Sequence, residues 1–224
     1  MARFKRLLTY NTLLNTGIVP LYYNADASIV KEVAKACYKG GARVFEFTNR
    51  GDFAHEVFAE VNHWAAKELP EMILGVGSVV DGATASLYIQ LGAAFIVSPL
   101  MNPEMARICN RRKIAWMPGC GTVSEINQAE ELGAEIVKIF PAGQLGGPAF
   151  LKSVLGPCPW SLIMPSGGAT PEYESIKSWV EAGAACIGLG SALFPKKTIE
   201  SGNYSEITAK VQSAIDAFAS LKKA

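Results

Sequence analysis

The sequence carries only two histidines, five scattered cysteines and no block of like charge. His55 and His63 fall in one stretch of helical pattern at a spacing that does not suit two ligands of one metal, and both are read as solvated helix residues. The cysteines, at 37, 109, 120, 158 and 186, are odd in number and contain no C-x-x-C pair. They are read as reduced, small packing residues. Twenty-one basic residues against twenty acidic ones leave a formal charge of +1. Binding along a phosphate backbone needs a basic stripe, so nucleic acid is excluded as a partner class. Near the start, Arg3, Lys5 and Arg6 are followed by Tyr10, Asn11, Thr12 and Asn15. Neither a signal-peptide apolar core nor a membrane span is expected, and the chain is read as cytoplasmic. Nucleotide fingerprints are missing too. Val80 and Leu193 stand where the stretches beginning at Gly75 and Gly188 would need a third glycine for G-x-G-x-x-G, and no G-x-x-x-x-G-K-[ST] loop occurs.

What is present is a rhythm. Half of the 224 residues are hydrophobic, enough for a substantial core. Short β-branched apolar runs at 18–23, 42–48, 72–79, 94–98, 114–118, 135–140, 161–165 and 185–189 alternate with longer amphipathic stretches. Those stretches lie at 28–39, 53–67, 83–91, 104–112, 123–132, 149–155, 172–182 and 205–222. Asn102-Pro103 and Thr170-Pro171 each read as an N-cap followed by a first-turn proline, and Thr122-x-x-Glu125 reads as a capping box. Glycines 41, 92, 133 and 183 each stand just past a helix and just before a strand, as a C′ residue should. With no linker interrupting the alternation, residues 1–224 are expected to form a single α/β domain, a (β/α)8 TIM barrel, with 1–16 as a helical or extended lead-in. In such a barrel the active residues sit at the C-terminal ends of the strands.

Lys138 stands alone in the apolar run Glu135-Ile-Val-Lys-Ile-Phe-Pro141. Burial among Ile136, Val137, Ile139 and Phe140 disfavours the ammonium and so favours the nucleophilic amine. An unperturbed lysine of pKa ~10.4 is neutral only about four times in ten thousand at pH 7, so a fall toward ~7–8 raises the nucleophile about a thousandfold. On the second strand, Glu46, Thr48 and Arg50 share the face of Val44, while Phe45 and Phe47 face the helix layer. By the same parity Lys138 lies on the face of Ile136 and Phe140. These groups are expected to converge in one cavity. The alternative is an internal ion pair of Glu46 with Lys138 or Arg50. Two glycine-rich turns, Gly167-Gly168 before Thr170-Pro171 and Gly188-Leu-Gly190-Ser191, are expected to cradle a phosphate with backbone N–H groups; tight βα turns alone are the other reading.

Glu46-Phe-Thr-Asn-Arg50, Gly75-Val-Gly-Ser-Val79, Ser98-Pro99, Pro118-Gly-Cys-Gly-Thr-Val-Ser-Glu125, Lys138-Ile-Phe-Pro-Ala142, Pro165-Ser-Gly-Gly168 and Gly188-Leu-Gly-Ser191 follow one another at expected strand ends. In this the chain resembles the class I 2-keto-3-deoxy-6-phosphogluconate (KDPG) aldolases, also called 4-hydroxy-2-oxoglutarate (KHG) aldolases, over nearly its whole length. The resemblance implies a Schiff-base lysine at Lys138 and a proton-transferring carboxylate at Glu46. It implies a 2-keto acid held by Arg50, Thr48, Ser78, Pro99, Phe140 and Ser166, a phosphate at Gly167, Gly168, Gly188, Gly190 and Ser191, no cofactor or metal, and a homotrimer. Its substrates would be small molecules: a 2-keto acid and an aldehyde phosphate.

Asn49, Leu100 and Gly143 depart from the family's usual pattern at the aldehyde end of the site. The sequence therefore leaves open a gluconate-derived, a galactonate-derived or a hydroxy-oxoglutarate substrate. Two other functions share parts of the pattern. A phosphosugar isomerase or decarboxylase of the ribulose-phosphate-binding type would keep the glycine turns without needing an imine. A non-catalytic sugar-phosphate sensor would keep the turns and tolerate loss of Lys138 or Glu46.

Overall fold

A computed structural model describes residues 2–222; Met1, Lys223 and Ala224, the ends of the expected domain, lie outside the described residues. Helix α1 (Arg6–Thr16) leads into an alternation of strand and helix: β1 (Ile18–Tyr22), α2 (Ala27–Lys39), β2 (Val44–Thr48), α3 (Ala54–Glu68), β3 (Ile73–Gly77), α4 (Gly82–Gln90), β4 (Phe95–Val97), α5 (Pro103–Arg112) and β5 (Ala115–Met117). After Pro118 come β6 (Gly119–Cys120), α6 (Val123–Glu131), β7 (Val137–Ile139), α7 (Gly147–Leu155), β8 (Ile163–Pro165), α8 (Tyr173–Glu181), β9 (Ile187–Leu189), α9 (Lys196–Glu200) and α10 (Tyr204–Lys222). All strand pairs are parallel, in a curled six-stranded sheet of order β5-β4-β3-β2-β1-β9 and a three-stranded sheet of order β6-β7-β8.

The helix boundaries follow local chemistry. Asn102 caps α5 by accepting from the N–H groups of Glu104 and Met105, with Pro103 in the first turn. At α6 the Thr122 hydroxyl accepts from the Glu125 N–H, and the Glu125 carboxylate reaches back to the Gly121 N–H. Gly41, Gly92, Gly133 and Gly183 all have φ between 85° and 100°, conformations that need glycine to close the helix and launch the next strand. The expectation at Thr170-Pro171 is not met. Helix α8 starts at Tyr173, and the Thr170 N–H donates instead to the Ser175 hydroxyl.

The expected fifth strand, 114–118, is divided. Proline has no N–H to give a ladder, and at Pro118 the chain changes partner: the Met117 carbonyl still accepts from Ser98 beside β4, while the Pro118 carbonyl accepts from Lys138 on β7. On the side of β5 away from β4, the Trp116 N–H and C=O meet no strand. They bond instead to the Tyr10 hydroxyl of α1, at 3.0 and 3.1 Å. Helix α1 thus seals the N-terminal ends of the strands. Arg3 donates to the carbonyls of Ala65 and Met72, and Arg6 to Asn110 and the Gly133 carbonyl.

Alternation along the strands sorts the core into two bodies. One joins Tyr10 and Leu13 of α1 to inward-facing residues of both sheets, among them Val19, Val44, Ile73, Phe95, Met117, Ile136 and Met164. The other packs the opposite strand faces, including Phe45, Phe47, Val137 and Ile139, against the surrounding helices. Four cysteines are buried and all five are free. Burial pushes the thiols of Cys109, Cys120 and Cys186 up to about 12, so they are poor nucleophiles. Among the described residues no helix is long and apolar enough to cross a membrane.

Tyr10→Phe keeps the ring in place and strands two buried backbone groups, so it is expected to lower the unfolding free energy by about 1–3 kcal/mol. Urea denaturation reads this directly, and an unchanged midpoint would show that the Tyr10 hydroxyl does not hold the β5 edge.

Candidate active site

Every strand residue expected at the site faces the inner side at its C-terminal end. On β2 all five residues are buried. Val44 joins the inner cluster and Phe45 and Phe47 the outer one, so Glu46 and Thr48 project inward. On β7, Val137 and Ile139 belong to the outer layer and Ile136 to the inner, which sends Lys138 inward. Both side chains open on a cavity of about 540 Å³. With them on its wall are Thr48 at the end of β2 and Arg50 beyond it, Ser78 beyond β3 and Pro99 beyond β4. Phe140 beyond β7, Ser166 and Gly167-Gly168 beyond β8, and Gly188, Gly190 and Ser191 of β9 and its loop complete the set. All the expected site residues therefore meet in one place.

The electrostatics of this cavity are set by burial. Lys138 is 6% exposed and Glu46 is 1% exposed. Desolvation holds the Lys138 amine below the ordinary lysine range; the Glu46 carboxylate opposes that shift and Arg50 adds to it. Desolvation likewise raises Glu46, with Lys138 and Arg50 pulling the other way. Among the described residues, neither Lys138 nor Arg50 makes an ion pair with Glu46. The internal ion pair considered from the sequence is thus not formed. Glu46 Oε2 is buried without a hydrogen-bond partner. The Lys138 Nζ sits 4.7 Å from the centroid of the Phe140 ring. Arg50 is exposed at the mouth of the cavity.

The glycine turns have structural reasons of their own. Gly167 and Gly168 have φ of 77° and 119°, and a Cβ on Gly168 would lie 2.7 Å from the Gly143 Cα. A Cβ on Gly188 would lie 3.1 Å from the Ser166 Oγ and 3.3 Å from a methyl carbon of Leu21, and one on Gly190 would lie 2.9 Å from a methyl carbon of Leu21. Turn geometry and room for Leu21 and Ser166 account for these glycines, so their abundance is not in itself an argument for phosphate. Their position on the cavity wall is.

Sequence reasoning missed Leu21, Tyr22, Tyr23, Thr170, Ala192 and Phe194, which also line the cavity. Leu21, Tyr22 and Tyr23, at the end of the first strand, are half-buried, with Tyr22 packed on Phe194 at 5.1 Å and Tyr23 edge-on to Phe47 at 5.7 Å. The strand-end rule applied to β1 was the signal that could have found them. Among the described residues no group of three His, Cys, Asp or Glu side chains is placed to hold a metal ion.

Residues 10–210 match the family described as KDPG and KHG aldolase. The chain belongs to the KDPG and KHG aldolase family. A KHG/KDPG aldolase of Escherichia coli K12 is 32% identical over 210 residues, which span 92% of this chain and 94% of the relative. A 2-dehydro-3-deoxy-phosphogluconate aldolase of Dickeya dadantii is 33% identical over 208 residues, 91% of this chain and 93% of its own. Among solved structures, the KDPG aldolase of Legionella pneumophila, with pyruvate captured as a covalent carbinolamine, superposes with a TM-score of 0.83 at 25% identity, covering 92% of this chain and 97% of that one.

Because the Lys138 amine is held low, its neutral fraction should persist at pH values where an ordinary lysine falls about tenfold per unit. Rapid mixing with pyruvate at each pH, followed by a borohydride quench at one fixed pH, is expected to give an imine rate that levels off at a lower pH than it would for an ordinary lysine. A tenfold fall per unit from pH 10 down to pH 6 would mean that the amine is unperturbed.

Proposed function

We propose that this chain is a Schiff-base aldolase cleaving a 2-keto-3-deoxy-6-phospho sugar acid to pyruvate and glyceraldehyde 3-phosphate, and also 4-hydroxy-2-oxoglutarate to pyruvate and glyoxylate. The observation that carries this reading is a buried lysine with a lowered pKa in the same cavity as a buried, unpaired carboxyl.

The neutral Lys138 amine adds to the C2 ketone to give a carbinolamine. Burial that raises Glu46 suits it to keep a proton, and this proton leaves with the carbinolamine hydroxyl as water, forming the iminium and the Glu46 carboxylate. The carboxylate takes the C4 hydroxyl proton directly or through a water. The C3–C4 electron pair flows into the iminium, releasing the aldehyde and leaving an enamine of pyruvate. Glu46 then protonates enamine C3, and hydrolysis of the iminium returns pyruvate, the free amine and the protonated carboxyl. Arg50 and Ser78 hold the keto-acid carboxylate, with Ser166 near its oxygens. Arg50 suits the part because its planar fork fixes a carboxylate in two places. Thr48, Pro99 and Phe140 close the keto-acid end. Gly167, Gly168, Gly188, Gly190 and Ser191 face the far end, where a phosphate or a second carboxylate would lie.

The same reading extends to the scaffold. The two sheets are taken as arcs of one (β/α)8 barrel formed by a single domain. Pro118 joins β5 to β6, and a parallel bridge from Ser166 to Gly188, with the Ala185 N–H donating to the Ile163 carbonyl at 2.8 Å, links β8 to β9. Assembly as a homotrimer would use the exposed apolar side chains of Val80 and Leu100 in loops and of Val123 at the start of α6, since the aromatic end of β1 is occupied by the cavity. The cytoplasm is the expected compartment.

Incubation with pyruvate and borohydride is expected to add one pyruvyl group, mapped to Lys138. Lys138→Met should fold, take no adduct and lose cleavage altogether. Glu46→Gln should form the imine slowly and lose about two to four orders of magnitude in cleavage. Retained cleavage in Lys138→Met, or an adduct on another lysine, would remove the mechanism.

A further inference from the structure

Strand β3 lies beside β2 with Glu46 opposite Gly75 and Thr48 opposite Gly77. Ile73 belongs to the inner cluster, so positions 75 and 77 face the same interior. Neither glycine has a positive φ, and conformational freedom therefore does not explain them. What occupies the missing side-chain volume differs. A Cβ on Gly75 would lie 2.2 Å from a ring carbon of Phe95, whereas one on Gly77 would lie 1.7 Å from Glu46 Oε1 and 2.5 Å from its carboxyl carbon. The Glu46 carboxyl leans along β3 and rests where a side chain at 77 would be. Its Oε2 is buried without a hydrogen-bond partner to fix the carboxyl.

We infer that Gly77 is a positioning residue for Glu46: the bare strand at this point is the seat that keeps the carboxyl in the cavity it shares with Lys138. The inference rests on Glu46 being the proton-transferring group, and it gives β3 a part in the reaction through an atom that is absent. A methyl group at 77 would have to push the carboxyl out of its seat, since the facing atoms are Glu46's own.

The test is a pair of cycles that separates position from packing. In the wild-type background Gly77→Ala is expected to leave the pyruvate adduct on Lys138 in place, to lower kcat for cleavage about tenfold to a hundredfold, and to change KM little. In the Glu46→Gln background the same change should remove little further activity, because the group it displaces no longer transfers a proton. On stability, Gly77→Ala should lower the thermal midpoint in wild type but not in Glu46→Ala, where the seat is vacant. Gly75→Ala should lower it equally in both, since its neighbour is Phe95. If Gly77→Ala fails to fold alone, the Gly77→Ala/Glu46→Ala protein should still fold. An equal stability loss from Gly77→Ala with and without the Glu46 side chain, or an unfolded double variant, would overturn the inference. Normal turnover in Glu46→Gln would instead remove the catalytic reading of Glu46, leaving the stability cycle to judge the seat.

Discussion

Two ionisable side chains, Lys138 and Glu46, are buried in the same cavity without being joined as an ion pair, and the rest of the architecture makes that arrangement possible. An amine and a carboxyl in water would both be charged at neutral pH. Withdrawn from water, each is driven toward its neutral form, and their mutual attraction only partly reverses this. Neutral amine and protonated carboxyl are the states that the proposed imine formation would use first. On that reading the same burial that costs the fold would prepare the reagents.

Holding them requires a rigid wall on every side. The inner cluster fills the lower part of the strand layer up to Val44, Ile73 and Ile136, so Glu46 and Lys138 stand on a packed floor that water does not reach from below. Helix α1 completes the floor with Tyr10 and Leu13. Its hydroxyl bond to Trp116 lies at the edge where β5 lacks a strand neighbour, next to the point where Pro118 passes the ladder to β7. A lysine on β7 is thus tied, through the Pro118 carbonyl and the Tyr10 hydroxyl on Trp116, to a helix more than a hundred residues earlier.

Much of this is legible in the sequence because it depends on local rules. The period of two along Val44-Phe-Glu-Phe-Thr48 and Ile136-Val-Lys-Ile-Phe140 fixes which side chains share a face, whatever the fold around them. Asn102-Pro103, Thr122-x-x-Glu125 and the glycines at 41, 92, 133 and 183 mark helix ends through hydrogen bonds made within a few residues. Thr170-Pro171 carries the same local signal and fails because Ser175 captures the Thr170 N–H, deferring α8 to Tyr173. The strand division at Pro118 and the turning inward of Leu21, Tyr22 and Tyr23 depend on which strand or loop lies alongside. Those neighbours are distant in the chain, and no local pattern names them.

The glycines show the same boundary in a sharper form. At 41, 92, 133 and 183 a glycine is needed by its own backbone angle, which sequence position next to a helix end reveals. At 75, 77, 188 and 190 the backbone would admit other residues, and the requirement comes from Phe95, Glu46, Ser166 and Leu21 lying against the bare Cα. A Gly-x-Gly run on a strand therefore has three readings that sequence cannot separate: a turn, a ligand cradle, or room for a neighbour's side chain. In this protein the third applies on both β3 and β9, and its consequences differ. On β9 and its loop the neighbours are Ser166 and Leu21, two residues of the cavity wall. On β3 it is the Glu46 carboxyl itself, so on the proposed mechanism the absence of a side chain at Gly77 would bear on the chemistry as directly as the side chains that line the site.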